Sequence, residues 1–355
     1  MKGALAKRDE VRSEERVEKS TEGRTKMRGF DYSEERLVRV GIVGTGYAAK
    51  LRAQTFQQDE RSQVVAIVGH TLEKTQEFAQ TYQAEALMSW QELVSRSDID
   101  LVVISNINKE HGAIATAALQ NKHVVVEYPL ALDVTEAENI LTLAQKQNKM
   151  LHVEHIEILG GLHQALKQNL PAVGNVFYAR YATVTPQRPA PQKWTYHKEL
   201  FGFPLMAALS RLHRLTDLFG KVASVSCQNR YWGEGNFYQA CLCTAQLNFT
   251  SGVIADVTYG KGETLWQDER KFEVHGEKGG LVFNGDAGKL VCREETTPIE
   301  VGSRRGLFAK DTEMVLNHLL TGADMYVNPT ASLYTLKVAD AARRSAQTGE
   351  TVVVE

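Results

Sequence analysis

Short apolar runs recur through the first half of the chain, separated by stretches with helical spacing. The runs cover residues 37–43, 63–68, 101–104 and 123–126. Continuous runs of this length are typical of strands that are buried on both faces of a parallel sheet. Because they alternate with helical patterns, the first half is predicted to be a doubly wound Rossmann sheet.

From residue 174 onward the pattern changes to longer strands with alternating polar and apolar positions. They cover residues 176–184, 223–232, 241–249, 252–259 and 271–275. Turn signals at 250–252 and 277–280 separate several of them, which is typical of an antiparallel sheet. The predicted class is therefore α/β plus α+β. A Rossmann domain at 37–155 precedes a substrate domain at 156–355, whose C-terminal helix returns to the N-terminal domain.

An open sheet of this kind leaves one face free for a flat ligand or for a second copy of the chain. We expect a homo-oligomer, if one forms, to use this face. Aromatic residues are available near it, although core packing is the commoner role for each of them. These residues are Trp194, Tyr196, Tyr231, Trp232, Phe237 and Trp266.

Residues 1–36 differ from the rest because charges of both signs alternate with almost nothing apolar. Such a segment cannot bury enough apolar surface to fold, so it is predicted to be a solvated, disordered tail. The alternative is a start codon assigned too far upstream, with Met27 as the true start. The tail has neither the apolar core of a secretory signal nor the acid-poor composition of a transit peptide.

The composition of the chain argues against nucleic-acid binding and against a membrane protein. The 355 residues carry 41 basic and 43 acidic side chains, without the basic stripe that nucleic acid requires. No apolar run is long enough to cross a membrane. The four cysteines have no CxxC spacing, so we expect reduced thiols, a cytoplasmic location and no metal site.

The strongest local motif is Gly44-Thr-Gly-Tyr-Ala-Ala49, directly after the first strand. The first glycine permits a tight turn and the second lets a pyrophosphate approach the backbone at a helix N-terminus. The alternative is an ordinary glycine-rich turn. The predicted dinucleotide contacts are Gly44, Gly46, Tyr47 and Ala48.

The end of the second strand indicates which dinucleotide binds. An acid here would bond the adenosine ribose and repel a 2′-phosphate. The chain instead has Gly69, His70 and Thr71, with Lys74 one turn further on. These residues predict NADPH as the preferred cofactor, with NADH accepted less well. The alternative is a solvated turn that does not discriminate.

Polar residues at the ends of the next two strands are further candidates. Asn106 follows the third run and Glu127 follows the fourth, at the edge of the sheet where ligands bind. Both are predicted to line the cofactor site. His111 either lines it as well or simply starts a helix.

The Rossmann half, the turn Glu127-Tyr-Pro129 and the open-sheet half together resemble the glucose-fructose oxidoreductase and inositol dehydrogenase family, over residues 37–355. That resemblance implies a group of three residues that removes a hydroxyl proton from the substrate. They are the lysine of a Glu-Lys-Pro turn and an Asp and a His on a helix of the second domain. This chain has Tyr128, Met206 and Ser210 at the three positions. Tyrosine titrates near 10, so no base suited to alcohol oxidation near pH 7 remains in this set.

Within that family, several stretches resemble the biliverdin reductases, and those of cyanobacteria above all. They are VRVGIVGTGYAA, HVEHIE, WTYH, FGFPL, AALSR, YGKGE and VGSRRGLF. The resemblance implies NADPH-dependent reduction of biliverdin, a linear tetrapyrrole, to bilirubin in the cytoplasm of a phototroph. Hydride goes to the central methine carbon and a proton goes to a pyrrole nitrogen.

A helix predicted at 204–219 supplies residues for this chemistry. Its apolar positions form one packed stripe, and Arg211 and Arg214 share another face. Arg211 and Tyr128 are the catalytic candidates, and Arg214 and Ser210 are predicted to contact the substrate. Since arginine is a poor acid, Arg211 either polarises the pigment or holds the water that delivers the proton. The alternative is a structural ion pair of Arg211 with Asp217 or Glu199.

Arg304 and Arg305 stand in a glycine-flanked turn that suits bidentate binding of the two propionates. A solvated turn or a dimer contact is the alternative. His155, His197 and His213 are secondary candidates for the proton donor. Two other functions stay open at this stage, namely a dehydrogenase of another small carbonyl or polyol, and a catalytically silent NADP-binding sensor.

Overall fold

A six-stranded parallel sheet forms the first half of the computed structural model, which describes residues 37–355. The predicted tail at 1–36 lies outside the described residues. The strands are β1 (Val38–Val43), β2 (Ser62–Val68), β3 (Glu85–Leu87), β4 (Leu101–Ile104), β5 (His123–Val126) and β6 (Leu151–Val153), in the order β3-β2-β1-β4-β5-β6. This is the Rossmann strand order. The four predicted strands are confirmed, whereas β3 and β6 are only three residues long and were not predicted.

Helices connect these strands on both faces of the sheet. They are α1 (Tyr47–Gln58), α2 (Leu72–Thr81), α3 (Trp90–Ser95), α4 (His111–Ala118) and α5 (Val134–Lys146). Side-chain caps start two of them, since Ser89 accepts a bond from the backbone of Glu92 and Asp133 accepts one from Glu136. The strands between the helices are buried on both sides, as the continuous apolar runs require.

The second half contains a nine-stranded sheet. After α6 (Gly161–Asn169) come β7 (Val176–Pro186), β8 (Val222–Trp232), β9 (Ala240–Phe249), β10 (Ile254–Gly262), β11 (Glu269–Gly276), β12 (Gly279–Asn284), β13 (Ala287–Cys292), β14 (Glu295–Ile299) and β15 (Val352–Val353). Their order is β14-β13-β12-β11-β7-β10-β9-β8-β15. Only β7 and β10 pair in parallel, so the predicted mostly antiparallel sheet is confirmed.

Five helices accompany this sheet: α7 (Lys198–Phe201), α8 (Pro204–Ala207), α9 (Ser210–Phe219), α10 (Leu307–Thr321) and α11 (Pro329–Thr348). The prediction of one continuous helix at 204–219 is wrong. Ala208 leaves the helical conformation with φ −104° and ψ 38°, and a second helix starts at Ser210. The break occurs where the segment is buried on all sides, because Met206, Ala208 and Leu209 are all inaccessible.

The last two helices return to the first half of the chain. Val315 and Leu316 of α10 share a core with Ala53 and Phe56 of α1. The longer α11 packs between α5 and β8. Among the described residues, no helix is long and apolar enough to cross a membrane.

Three of the four cysteines are buried in the second sheet. The sulfur atoms of Cys227 and Cys243 lie 3.6 Å apart, at hydrogen-bond distance and without a disulfide, and Cys241 lies close to Cys243. All four are free thiols, in agreement with the predicted reduced state.

Candidate active-site cleft

A cavity of about 1400 Å³ opens at the carboxyl ends of the parallel strands. The residues directly after β1, β2, β4, β5 and β6 all line it, namely Gly44, Gly69, Ser105, Glu127 and Glu154. The opposite wall comes from the second half of the chain and includes Trp194, Phe201 and Arg270. Ligands of doubly wound sheets bind at this edge, so the cavity is the candidate active site.

The glycine motif forms a cradle for a phosphate group. At Gly44, φ is +129°, and a Cβ there would lie 2.2 Å from the carbonyl oxygen of Ser105. At Gly46 a Cβ would meet nothing within 4 Å, so the backbone is open to the cleft. The first turn of α1 begins at Tyr47 and contains no acidic residue. An anionic pyrophosphate therefore fits the open backbone and the helix N-terminus.

The wall predicted to select the cofactor has an exposed, basic character. Gly69, His70 and Lys74 line the cleft, whereas Thr71 precedes α2 and is not among the lining residues of the described chain. A second segment on this side of the cleft has no recognisable motif in the sequence and was not predicted. It consists of Met88, Ser89, Trp90 and Gln91, which follow the short strand β3.

Four buried polar atoms of cleft residues have no hydrogen-bond partner within the described protein. They are Ser105 Oγ, Asn106 Oδ1, Glu157 Oε2 and Arg214 Nη1. Buried polar groups are normally satisfied, because an unpaired one costs about 1–3 kcal/mol. These atoms mark places where a bound ligand or water completes the bonding.

His111 lies on the floor of this cleft and is almost fully buried. One ring nitrogen lies 2.8 Å from the carbonyl oxygen of Pro129, and burial lowers the pKa of the imidazole. The ring therefore ties the start of α4 to the turn that contains Tyr128. Of the two interpretations of His111, the structure supports a residue that both starts a helix and lines the cleft.

Glu127 belongs to a buried network of charges. Its Oε1 accepts a 2.9 Å bond from Nε of Arg52, and the same guanidinium pairs with Asp311 of α10. Burial raises the pKa of neighbouring Glu154, and the negative charge of Glu127 raises it further. The predicted cofactor residue Glu127 lines the cleft with one oxygen already paired.

Tyr128, Ser210 and Arg211 form a connected chain. The phenol donates to Ser210 Oγ over 3.1 Å, and Nη1 of Arg211 donates to the same oxygen over 2.8 Å. Nε of Arg211 donates to Oγ1 of Thr183, and the guanidinium stands 5.6 Å from the ring centre of Tyr259. Of the predicted residues, Ser210 thus bonds Arg211 directly and Tyr128 is linked to it through the Ser210 hydroxyl. Only Tyr128 of this chain is among the residues that line the cavity itself.

Within residues 37–355, no carboxylate lies within ion-pair distance of Arg211. The alternative pairings predicted for it do not occur, because Asp217 bonds His163 at 2.7 Å and Glu199 pairs with Lys109. Burial alone would lower the pKa of Arg211, yet the polar groups around it raise the pKa above its usual value. Arg211 is thus a cation that forms no ion pair in the described protein, and Glu157 is a carboxylate whose charge acts on it from beyond ion-pair distance.

None of the three positions that lost the family's proton-abstracting groups can act as a base near neutral pH. Burial raises the pKa of Tyr128 far above that of a free phenol, although Arg211 opposes the shift. Met206 is apolar and Ser210 is buried. Since hydroxyl oxidation requires a group that accepts a proton, the cleft is poorly suited to dehydrogenating an alcohol.

Two of the secondary histidines pack behind Tyr128. The His155 ring stacks on the phenol ring with 5.4 Å between centres, and the His213 ring stacks on His155 at 3.8 Å. Nδ1 of each imidazole points at Oε1 of Glu157. His197 lies elsewhere, where its Nδ1 caps α7 by accepting from the backbone of Glu199 and Leu200.

Arginines surround the second-domain side of the cleft. Arg214, Arg270 and Arg304 line it, and Arg304 also pairs with Asp286 at 3.2 Å. Arg305 is exposed and is not one of the lining residues in the described chain. Arg270 was missed because the predicted strand began one residue later. Its position two residues before Phe272, on the alternating pattern of β11, was the available signal.

Comparison with known proteins agrees with this architecture. Residues 38–155 match the model of the GFO/IDH/MocA oxidoreductase family for the NAD-binding Rossmann fold, and residues 167–354 match its C-terminal α/β domain. A crystal structure of biliverdin reductase with biliverdin and NADP+ from Synechocystis sp. PCC 6803 has a TM-score of 0.86 and 54% sequence identity. The alignment covers 87% of this chain and 99% of that one.

More distant relatives show the same domains. Mouse biliverdin reductase A is 25% identical over 86% of this chain and 95% of its own length. Aldose-aldose oxidoreductase from Caulobacter crescentus has a TM-score of 0.77 at 21% identity, over 90% of this chain and all of that one, which shows a shared fold. With both family domains matched over most of its length, the chain belongs to the GFO/IDH/MocA family of NAD(P)-dependent oxidoreductases.

Proposed function

We propose that this protein is an NADPH-dependent biliverdin reductase, which transfers hydride to the central methine carbon of biliverdin and gives bilirubin. The observation that carries the proposal is the replacement of every proton-abstracting group by Tyr128, Met206 and Ser210, beside an Arg211 that forms no ion pair within the described residues. At these three positions the site lacks the groups that the resembling family uses to remove a hydroxyl proton, and it offers a nearby cation instead. The 54% identity to a reductase crystallised with biliverdin and NADP+ supports the same function.

The cofactor is held by the cradle at Gly44 and Gly46, which fits a pyrophosphate. His70 and Lys74 are exposed in the cleft and would face an adenosine 2′-phosphate, and no acidic residue stands at the end of β2 to repel it. Ser105 and Asn106 each carry an unpartnered polar atom on the same wall. These features favour NADPH over NADH.

Arg211 lies behind the cavity lining, bonded to Ser210, and from there its charge assists protonation of a pyrrole nitrogen. When bound, NADPH supplies the hydride. A conjugated carbon accepts hydride more readily when the adjoining nitrogen gains a proton, because the added negative charge is then neutralised. The raised pKa of Arg211 means that the guanidinium keeps its own proton, so the transferred proton comes from solvent through a water that the guanidinium orients and that takes up a replacement proton from solvent.

Tyr128 and Ser210 hold Arg211 in place. Both Tyr128 and Arg211 donate to the Ser210 hydroxyl, which fixes the guanidinium relative to the strand end that carries Tyr128. Tyr128 therefore serves at this position as a hydrogen-bond donor, and it does not act as a base. Tyr128 shapes the wall of the pocket and stays neutral during turnover.

The propionates of biliverdin are anions and need cationic partners. Arg214 has an unpartnered Nη1, and Arg270 and Arg304 complete a basic wall on the same side of the cleft. Guanidinium groups bind carboxylates in a bidentate manner. We assign this wall to the propionates, with Arg305 further out at the mouth.

The test is spectroscopic. The purified protein is mixed with biliverdin and NADPH, then with NADH, while the long-wavelength biliverdin band and the blue bilirubin band are followed. Loss of the first with growth of the second, faster with NADPH, is the expected result. A shift of the biliverdin band without reduction would contradict the proposal and indicate a binding protein, and no response would indicate a different substrate.

A further inference from the structure

Three side chains with metal-binding atoms meet beneath Tyr128. His155 follows β6, Glu157 lies in the adjoining helical turn and His213 comes from α9. One ligand atom from each lies within 4.8 Å of the others. Both imidazoles are almost fully buried and Glu157 is nearly so, with 11% of its side chain exposed. The proposed hydride and proton transfers use none of the three.

Two of the three distances between these atoms match those between the ligands of a tetrahedral metal. Nδ1 of His155 lies 3.2 Å from Oε1 of Glu157, and Nδ1 of His213 lies 3.3 Å from the same oxygen. With metal bonds of about 2.0 Å, two ligands of a tetrahedral zinc stand about 3.3 Å apart. Hydrogen bonds to an ionised carboxylate are shorter, at about 2.7–2.9 Å. The two contacts are hydrogen bonds at the long end of the usual range, and their lengths equal the ligand spacing that a bound cation would give.

A second contact fixes one of the rings in the orientation that a metal needs. Nε2 of His155 lies 2.8 Å from Oγ of Ser332, which is buried in α11. If the ring donates its Nε2 proton to this hydroxyl, the lone pair of Nδ1 points at Glu157. Metal-binding histidines characteristically donate their other ring N–H to such a partner. In that tautomer a cation on Nδ1 takes the place of the proton that otherwise bonds Glu157.

The cluster is also open on one side. Glu157 lines the cleft, and its Oε2 is buried without a hydrogen-bond partner in the described protein. Three protein ligands with a fourth position toward a cavity form the pattern of an accessible zinc site, whereas closed structural sites use four. Oε2 is available to bond either the ion or a water on it.

We propose that His155, Glu157 and His213 form a binding site for a divalent metal of the zinc class, with its open coordination position toward the cleft. Two nitrogens and one carboxylate oxygen are ligands that zinc binds well. Because β6 and α9 lie in different halves of the chain, the ion would join the two halves at the back of the active site. This proposal does not depend on the identity of the substrate.

Metal binding is tested on the full-length protein with Co²⁺, whose visible absorption reports tetrahedral coordination. One equivalent of Co²⁺ is expected to give an intense visible band that Zn²⁺ abolishes by displacement. Glu157→Gln and His213→Gln are expected to lose the band and to weaken Zn²⁺ binding at least 100-fold. His197→Gln is the matched control, since this histidine caps α7 outside the cluster, and it should bind like the parent protein.

Ser332→Ala separates a metal site from a folding defect, because it keeps all three ligands. Loss of this supporting bond is expected to weaken Zn²⁺ binding about 10- to 100-fold. Circular dichroism of each variant shows whether its fold is retained. Absence of a stoichiometric Co²⁺ band in the parent protein, or equal affinity in folded Glu157→Gln and His213→Gln variants, would overturn the proposal.

Discussion

Tyr128 and Arg211 show how single substitutions change the chemistry of a cleft. Tyr128 places a neutral phenol at the position where the sugar-oxidising members of the family carry a lysine. Arg211 is a buried cation that bonds only hydroxyl groups, those of Ser210 and Thr183, among the described residues. A cation without an ion-pair partner suits a site that stabilises negative charge as it develops on a substrate.

Replacement of Arg211 by Ala is expected to lower kcat about 100-fold, because one preorganised group that stabilises charge contributes a factor of this size. Turnover of biliverdin with NADPH is measured across pH 6–9. Arg230→Ala is the matched control, since this exposed arginine lies on β8 over the ring of Trp232 and should leave the rate unchanged. Full activity of Arg211→Ala with an unchanged pH profile would refute the assigned role.

Tyr128→Phe tests whether the phenol titrates during turnover. Burial raises the pKa of Tyr128, so the phenol is protonated at every pH at which the enzyme works. The shape of the pH profile between about 7 and 10 should therefore be the same for the variant and the parent protein. The rate itself should fall only a few-fold, through loss of the bond to Ser210. An alkaline limb that disappears in the variant would show that Tyr128 does take part in proton transfer.

At the scale of elements, the cleft depends on two helices that come from far along the sequence. Helix α9 supplies Arg211, Arg214 and His213, and the break at Ala208 sets its direction. Helix α10 packs on α1, where Asp311 pairs with Arg52 and accepts bonds from His152 and Tyr326. This buried network joins α10 to the strand end that carries Glu127.

Asp311→Asn is expected to destabilise the protein by about 3–5 kcal/mol, because it leaves the buried Arg52 with too little negative charge. Urea unfolding at pH 7 measures the change. Glu313→Gln is the control in the same helix, at an exposed position, and should change stability by less than about 0.5 kcal/mol. Equal unfolding midpoints for the two variants would exclude the network as an anchor of α10.

The buried carboxylate of Asp311 should also determine how the stability of the protein responds to acid. Burial alone would raise the pKa of Asp311, but Arg52 and His152 together hold it well below its usual value. A folded-state pKa below the unfolded one stabilises the protein above about pH 4. That contribution is lost as pH falls through the folded-state pKa, so the parent should lose more stability below pH 4 than Asp311→Asn does.

At the scale of the whole molecule, the cleft is shared by the two halves of the chain. Gly44, Gly69 and Asn106 contribute from the parallel sheet, and Trp194 and Arg270 contribute from the other half. The free face of the nine-stranded sheet carries exposed Ile254 together with ion pairs of Arg180. Assembly of two copies through this face remains a prediction.

Cofactor binding should stabilise the folded chain as a unit. A ligand at 100 times its Kd adds about 2.7 kcal/mol to the stability of the native state. NADP+ should therefore raise Tm by more than NAD+ does at equal concentration. Lys74→Ala should remove most of that difference, whereas Lys50→Ala, an exposed residue of α1 outside the cleft lining, should preserve it. Equal shifts with both nucleotides would contradict the assigned preference.

The sequence by itself determined the features that depend on neighbouring residues. Buried strands show as apolar runs because both faces are covered, and the glycine motif shows because a tight turn and a phosphate need missing side chains. The loss of the family's base was also predictable from the sequence, because the resemblance identifies the three positions at which that base and its partners would stand. Strands of three residues, such as β3 and β6, are too short to produce a pattern.

Only the tertiary structure decided which distant groups meet. His155 and Glu157 are two residues apart, but His213 comes from α9. No local spacing in the sequence therefore predicts that the three side chains meet. Arg52 and Asp311 are separated by 259 positions and still form one buried pair. That Arg211 meets hydroxyl groups and no carboxylate likewise depends on how α9 packs on the sheet. Burial and partners set the charge state of each of these groups, and both are properties of the packed chain.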